Sequence, residues 1–170
     1  RALLRWATEA QQARWLPGVA DGTVRTALAL SETGAGSDVG AMAARAERQG
    51  EGWRLTGEKR WVTGGDRAGL VLVWARSSGE PGSLDGLTAF LVPGDAPGLR
   101  VKGRERTLGM SASSTVTLEL DGVELPAEAV LGPVDQGWAV ARDALVHGRL
   151  FVAAVALGIA QAALEHAVRS

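Results

Sequence analysis

A turn that contains two glycines and is flanked by hydroxyl side chains lies between residues 28 and 38. Gly34 and Gly36 allow positive φ angles and let a ligand come close to backbone N–H groups, while Ser31 and Ser37 supply hydroxyl donors. A turn of this kind suits a phosphate group or a flat polar ring. On composition alone, a tight surface turn that binds nothing would explain the same residues.

Two nucleotide-binding loops do not fit this turn. A Walker loop would continue with Gly-Lys-Ser or Gly-Lys-Thr, and no such sequence follows. In a dinucleotide-binding fingerprint the third glycine would stand at position 39, whereas here it is Gly40. The residues that follow also predict a hairpin rather than a helix, so the sequence excludes both loops.

A second candidate segment, residues 57–65, is predicted to be a short strand that ends in a glycine turn. The two-residue period of a strand places Trp61 and Thr63 on one face and Val62 on the other. A flat indole and a hydroxyl on the same face can cover an aromatic ring and donate a hydrogen bond to it. Taken alone, a tryptophan that packs in the core and a threonine that favours β-structure would explain the same residues.

Helices are predicted at both ends of the chain. Residues 1–15 place apolar side chains at helical spacing, and Pro17-Gly18 is expected to end this helix. After Asp135, a possible N-cap, an alanine-rich helical pattern continues to the last residue. Because this pattern is still running at Ser170 and the first residue is not methionine, we expect the chain to be a piece of a longer protein.

Between these helices, residues 24–132 predict a β domain, because short runs of Val, Leu, Thr and Trp alternate with turn residues. Gly50-Glu51-Gly52 predicts a hairpin, and residues 77–86 predict a long exposed loop. The run 70–74 is apolar on both faces, as in a strand covered on both sides. The predicted fold is α+β: a central antiparallel β-sandwich or barrel, flanked by an N-terminal helix and a long C-terminal helix.

The composition limits the partners that the chain can have. Its hydrophobic fraction of 46% and net charge of −1 are typical of a soluble globular protein and indicate neither nucleic acid nor a membrane as a partner. It has no cysteine and two histidines, so no metal site is predicted. The longest apolar run, residues 150–160, is shorter than a membrane span. We expect a cytoplasmic protein.

The order and spacing of the motifs resemble the acyl-CoA dehydrogenase family. The matching motifs are Leu-Ser-Glu-x-Gly-Ala-Gly-Ser-Asp at 30–38, Gly-x-Lys-x-Trp-x-Thr-x-Gly at 57–65 and Gly-Val-Glu-Leu-Pro at 122–126. Further matches extend the resemblance over nearly the whole chain. The resemblance implies the end of an N-terminal helical domain at 1–23, a flavin-binding middle domain at 24–132 and the first helix of a C-terminal domain at 133–170.

The resemblance also implies FAD as the cofactor and divides its contacts among the ring edge, the pyrophosphate and the ring near N5. Leu28, Leu30 and Ser31 would contact the ring edge, and Gly36 and Ser37 would contact the pyrophosphate. Trp61, Val62 and Thr63 would lie near N5. On the substrate side it implies Ser37, His147 and Arg149. Arg149 interrupts an apolar helical stripe, where an unpaired charge would be costly. The resemblance implies that it faces the carrier arm of the substrate, and a structural ion pair or a side chain that extends to solvent would explain it equally well.

The activity implied by the resemblance is α,β-dehydrogenation of an acyl thioester, in which a carboxylate removes a proton and hydride passes to flavin N5. No catalytic base is identified in this chain. The family places it on a glutamate, expected beyond Ser170, or in some members at the position of Gly148, which cannot abstract a proton. Val146 and Ser111 replace residues typical of the family, so the carrier is left open between coenzyme A and an acyl carrier protein.

Several interpretations remain open from the sequence. The resemblance implies an electron-transferring flavoprotein as the acceptor and a homodimer or homotetramer as the assembly. An acyl-CoA oxidase would show the same motifs. Two interpretations without catalysis also remain, a flavin-binding relative that is not an enzyme and a β-sandwich binding module without flavin.

Overall fold

The structure, a computed structural model, describes residues 1–169 and joins helices at both ends to a central sheet. The helices are α1 (Ala2–Trp6), α2 (Glu9–Asp21) and α3 (Gly137–Arg169). The strands are β1 (Thr26–Ala29), β2 (Arg45–Gln49), β3 (Gly52–Thr63), β4 (Leu70–Arg76), β5 (Leu87–Pro93), β6 (Leu99–Arg104), β7 (Thr115–Leu125) and β8 (Val130–Leu131). The predicted α+β class is confirmed.

The N-terminal helical region consists of two helices rather than one. Thr8 and Gln11 begin α2 with a capping box, in which each side chain accepts a hydrogen bond from the other's backbone N–H. The expectation that Pro17-Gly18 ends the helix is wrong, because α2 continues to Asp21. Gly18 instead permits close packing, since a Cβ there would lie 2.6 Å from the Val24 side chain.

The strands form one mixed sheet in the order β6-β7-β3-β2-β4-β5-β8, and β1 pairs with β4. Among the strands of residues 1–169, five pairings are antiparallel, as expected, and two are parallel, β1 with β4 and β2 with β4. The predicted hairpin is the β2–β3 turn, and the predicted loop 77–86 connects β4 to β5. All residues of β4 are buried, which agrees with its apolar sequence.

Arg76, at the end of β4, organises the loop 77–86. Its side chain is 4% exposed, and its guanidinium donates to the backbone carbonyls of Gly40 at 2.7 Å, Ser83 at 2.8 Å and Asp85 at 3.0 Å. A buried cation is costly unless hydrogen bonds satisfy it, and these carbonyls pair with its two terminal nitrogens, whereas the buried Nε has no hydrogen-bond partner within residues 1–169. The loop is thereby fastened to the segment that follows the glycine turn.

Helix α3 packs on the sheet through its first turns. The Trp74 indole N–H donates to the Gly137 carbonyl at 2.9 Å. Asp135 is not the N-cap that its sequence position suggested: it lies two residues before the helix, with a φ of 63°, and accepts a hydrogen bond from the Ser77 hydroxyl. Residues 148–169 are exposed throughout. By length and composition alone, α3 could cross a membrane, since an 18-residue window reaches a mean hydropathy of 1.6.

Candidate functional site

The two candidate segments lie side by side. The backbone N–H of Arg60 donates to the Ser31 carbonyl at 2.9 Å, and the ammonium group of Lys59 donates to the Leu30 carbonyl at 3.2 Å. The end of β1 and the end of β3 therefore meet, although the hairpin β2–β3 separates them in sequence. Chain topology thus brings Leu30 and Ser31 of the first segment into contact with Lys59 and Arg60 of the second.

A β-bulge in β3 shapes this meeting point. The register with β7 shifts between Lys59 and Val62, and Trp61 has a φ of 57°. A positive φ is unusual for a bulky residue and clusters at functional sites. Trp61 is 48% exposed and Thr63 is exposed, whereas Val62 is fully buried, so any ligand there would reach the backbone of Val62 and not its side chain.

Strand β1 also carries an exposed apolar side chain. The burial of β1 alternates, with Ala27 and Ala29 inside and Leu28 51% exposed. Leu30 and Ser31, which follow, are half-buried. Exposed large apolar side chains at a surface that also carries polar groups are typical of a ligand-binding surface.

The indole of Trp61 is held from one side by Arg60. The guanidinium carbon lies 5.0 Å from the ring centroid, within range of a cation–π contact. Glu105 accepts a hydrogen bond from Arg60 at 2.9 Å, and this hydrogen bond lowers the pKa of the Glu105 carboxyl. Sequence analysis did not identify Arg60 or Glu105, since neither belongs to a recognisable spacing.

The glycine turn is closed by a pair of backbone hydrogen bonds between Glu32 and Ala35, at 2.9 and 3.2 Å. Neither Gly34 nor Gly36 has a positive φ, so the expectation that the turn needs glycine for that reason is wrong. A Cβ added at either position would meet nothing within 4 Å. The fold itself therefore tolerates a side chain at Gly36, and the open space above the exposed Gly36 and Ser37 leaves room for a ligand.

A buried ion pair joins the two segments. The Lys59 ammonium is 2.6 Å from a carboxylate oxygen of Glu32, and the carboxylate also accepts the N–H groups of Ala43 at 2.7 Å and Ala44 at 3.1 Å. The Lys59 side chain is fully buried, and desolvation lowers its pKa to about 8, against the opposing effect of Glu32. Strand alternation would have placed Lys59 with Trp61 on the exposed face, so the bulge hid this pair from sequence analysis.

A groove of about 520 Å³ opens beside Thr63. Thr26 and Ser113 line it, together with the cationic side chains of Arg25 and Arg67. The Ser114 hydroxyl at its wall is buried and has no hydrogen-bond partner in the part of the chain that the structure describes. A polar group can therefore approach Thr63 from this side.

The predicted substrate residues are not joined to one another within residues 1–169. Ser37 lies in the glycine turn, whereas His147 and Arg149 lie on α3. The His147 Nδ1 contacts the Asp143 carbonyl at 2.9 Å, within the helix. Arg149 is exposed. On the same helix, Asp143 pairs with Arg5 at 2.9 Å.

The comparisons with known proteins agree with these motifs. The family described as "Acyl-CoA dehydrogenase, middle domain" matches residues 27–123, more than half of the chain, and "Acyl-CoA dehydrogenase, C-terminal domain" matches 135–170. The bovine (Bos taurus) short-chain specific acyl-CoA dehydrogenase is 40% identical over 98% of this chain. The chain spans 40% of that relative's length.

Solved structures show the same likeness. The butyryl-CoA dehydrogenase of Megasphaera elsdenii has a TM-score of 0.95 and 34% identity, over 99% of this chain and 44% of that one. A glutaryl-CoA dehydrogenase of Mycobacterium smegmatis in complex with FADH2 has a TM-score of 0.72 and 38% identity, over 79% of this chain and 33% of that one. On the family match and the motifs that carry it, the chain belongs to the acyl-CoA dehydrogenase family.

Proposed function

We propose that this chain is the flavin-binding part of an FAD-dependent dehydrogenase that introduces a double bond next to the carbonyl of an acyl thioester. The observation that supports it most is the hydrogen bond from the Arg60 N–H to the Ser31 carbonyl, which joins the segment that carries the exposed Leu28 to the segment that carries the exposed Trp61. That arrangement offers an apolar wall, a hydroxyl and an open backbone to one flat polar ligand.

The proposed cofactor site uses two kinds of contact. Leu28, Leu30 and Trp61 would cover the isoalloxazine ring and exclude water from it, while Thr63 would donate a hydrogen bond near N5. Gly36 and Ser37 would bind the pyrophosphate through backbone and hydroxyl donors. When bound, FAD supplies the hydride acceptor.

The chain's own residues do not complete the reaction in this proposal. Proton removal from the carbon beside the thioester carbonyl needs a carboxylate within hydrogen-bond reach of that carbon. Gly148 has no side chain to do so, and a Cβ there would meet open space. We therefore propose that the base is a glutamate outside these 170 residues. Arg149 and His147 are proposed to approach the carrier arm of the substrate.

The remaining features of the proposal concern organisation. We propose a division into 1–23, 24–132 and 133–170, with the exposed face of α3 covered by further helices of a C-terminal domain. A homodimer or homotetramer, coenzyme A or an acyl carrier protein as the carrier, a flavoprotein as the electron acceptor and a cytoplasmic location remain predictions.

The test is a spectrum of the intact protein that carries this chain. We expect a yellow protein that retains FAD and whose visible flavin absorption bleaches when a saturated acyl-CoA is added without oxygen. A colourless protein that takes up no FAD would contradict the proposal. A flavoprotein that no acyl thioester bleaches would instead favour the non-catalytic relative.

An oxidase is the second candidate function, since it would use the same motifs. The two differ in the fate of the electrons, so the reduced protein is mixed with air-saturated buffer or with an electron-transferring flavoprotein. Rapid formation of hydrogen peroxide would favour the oxidase, and rapid reduction of the flavoprotein would favour the dehydrogenase.

A further inference from the structure

We propose that the buried Lys59–Glu32 ion pair is a positioning device that sets the spacing between the two walls of the cofactor site. The inference rests on the proposed function, because it assigns to Lys59 and Glu32 a role toward the flavin that neither side chain would contact. Both are positioning residues and not catalytic ones.

The contacts of Lys59 extend to both walls of the proposed cofactor site. One Lys59 ammonium group contacts both Glu32, at 2.6 Å, and the Leu30 carbonyl, at 3.2 Å. Lys59 stands two residues before Trp61 on β3, and Leu30 is next to Ser31 at the end of β1. A single buried cation therefore connects the backbone of one wall to the strand that carries the other.

Glu32 extends the connection to a third segment. Its carboxylate accepts the N–H groups of Ala43 and Ala44, which precede β2, while its own backbone closes the glycine turn with Ala35. The turn that would bind the pyrophosphate is thus fastened to the same carboxylate that holds Lys59. Charge-assisted hydrogen bonds of this kind are stronger than neutral ones and fix geometry.

The cost of burial argues that the pair has a use beyond stability. Replacing a buried ion pair by apolar residues is often neutral or stabilising, so a pair is weak evidence for stability. The residue opposite Lys59 on β7 is the apolar Leu118. The charged residues nearby, Glu58, Arg60 and Glu119, are partly exposed. Arg60 pairs with Glu105 and Glu58 pairs with Lys102. Glu32 is the carboxylate that holds Lys59.

Three variants of the intact protein distinguish an effect on the position of the flavin from an effect on the stability of the fold. Lys59→Met removes the cation, and the double variant Lys59→Met with Glu32→Gln removes both charges. The matched control is Lys102→Met, which breaks the exposed pair, at 2.5 Å, between Lys102 on β6 and Glu58 on β3. For each protein the unfolding midpoint, the FAD dissociation constant of the apoprotein and the visible circular dichroism of the bound flavin are measured.

We expect Lys59→Met to bind FAD roughly tenfold more weakly, which corresponds to about 1.4 kcal/mol. The double variant should recover thermal stability, because no charge is left unpaired, and should keep the weak FAD binding and the altered flavin spectrum. Lys102→Met should match the parent. If FAD affinity and spectrum recover together with stability, the pair is structural and the proposal is overturned.

A pH series on the unmodified protein tests the proposal even if the single variant does not fold. The pKa of Lys59 is about 8, so the flavin circular dichroism should change with a midpoint near that pH and should not do so in the double variant. A spectrum that stays constant through this range would overturn the proposal. An unmodified protein that binds no FAD at any pH would overturn the proposed function and this inference with it.

Discussion

The backbone N–H of Arg60 donates its hydrogen bond to the carbonyl of Ser31, and not to the neighbouring strand β7. The bulge at Trp61 makes this possible, because Arg60 and Trp61 have no partner in the β7 register. An extra residue in one strand frees backbone groups and turns a side chain outward. The same irregularity thus joins two distant motifs and exposes the indole between them.

Gly36→Ala should leave the fold intact and weaken the cofactor site. Its φ is not positive and a Cβ would meet nothing within 4 Å, so we expect an unfolding midpoint equal to or slightly above that of the parent. FAD affinity should fall at least roughly tenfold if a phosphate approaches this backbone. Isothermal titration of the apoprotein with FAD measures it. Gly103→Ala, equally open and on β6, is the control, and equal affinities in both variants would contradict the placement.

Thr63→Val should slow flavin reduction or weaken FAD retention, because it removes one hydroxyl donor at the same volume. The loss of one hydrogen bond is worth about 1 kcal/mol, or roughly fivefold in affinity or rate. Stopped-flow reduction by an acyl thioester and FAD titration measure the two effects. Thr56→Val changes an exposed threonine of the same strand and should match the parent. Unchanged kinetics and affinity in Thr63→Val would remove Thr63 from the site.

The protonation of Lys59 predicts how stability depends on pH. Its pKa is lowered from 10.5 to about 8 by burial, so between these values the unfolded chain holds a proton that the folded chain has lost. The contribution of Lys59 to the free energy of unfolding therefore rises with pH across this window. Relative to Lys59→Met, we expect the parent to gain on the order of 2 kcal/mol between about pH 7.5 and 9.5. Urea unfolding at both pH values measures it, and a constant difference would be inconsistent with the lowered pKa.

Arg76→Leu should destabilise the protein by on the order of 3 kcal/mol, because several buried carbonyls lose their donor. The loop 77–86 should also exchange its amide hydrogens faster, since the guanidinium fastens it to Gly40. Denaturant unfolding and hydrogen exchange measure these effects. Arg100→Leu is the control, as the pair that Arg100 forms with Asp121 is exposed. Similar losses in both variants would mean that burial of Arg76 is not what matters.

Sequence analysis could predict the elements whose signal is local. The apolar run of β4, the turn at Gly50-Glu51-Gly52 and the helical pattern after Asp135 each depend on neighbouring residues, and each corresponds to an observed element. The end of α2 was misjudged because Gly18 serves packing against Val24, a tertiary contact that a local breaker rule does not include.

The details of the candidate site were harder to predict from the sequence, because they also depend on tertiary contacts. A strand period of two predicts an exposed Lys59, and the bulge reverses this by burying Lys59 and Val62 three residues apart. Nothing in the local pattern marks such an insertion. The motif order predicted that Trp61 and the glycine turn belong to one site. The ion pair that links the two segments could be recognised only from the structure.

Arg149→Met should raise the KM for the acyl thioester and leave FAD affinity unchanged. Arg149 is exposed on α3, so its removal should not disturb the fold, and a cation facing the phosphates of a carrier would contribute roughly tenfold in KM. Steady-state kinetics over a range of salt concentrations would show the effect shrinking as ionic strength rises. Arg142→Met, also exposed on α3, supplies the control. A KM equal to that of the parent at low salt would place the carrier arm away from Arg149.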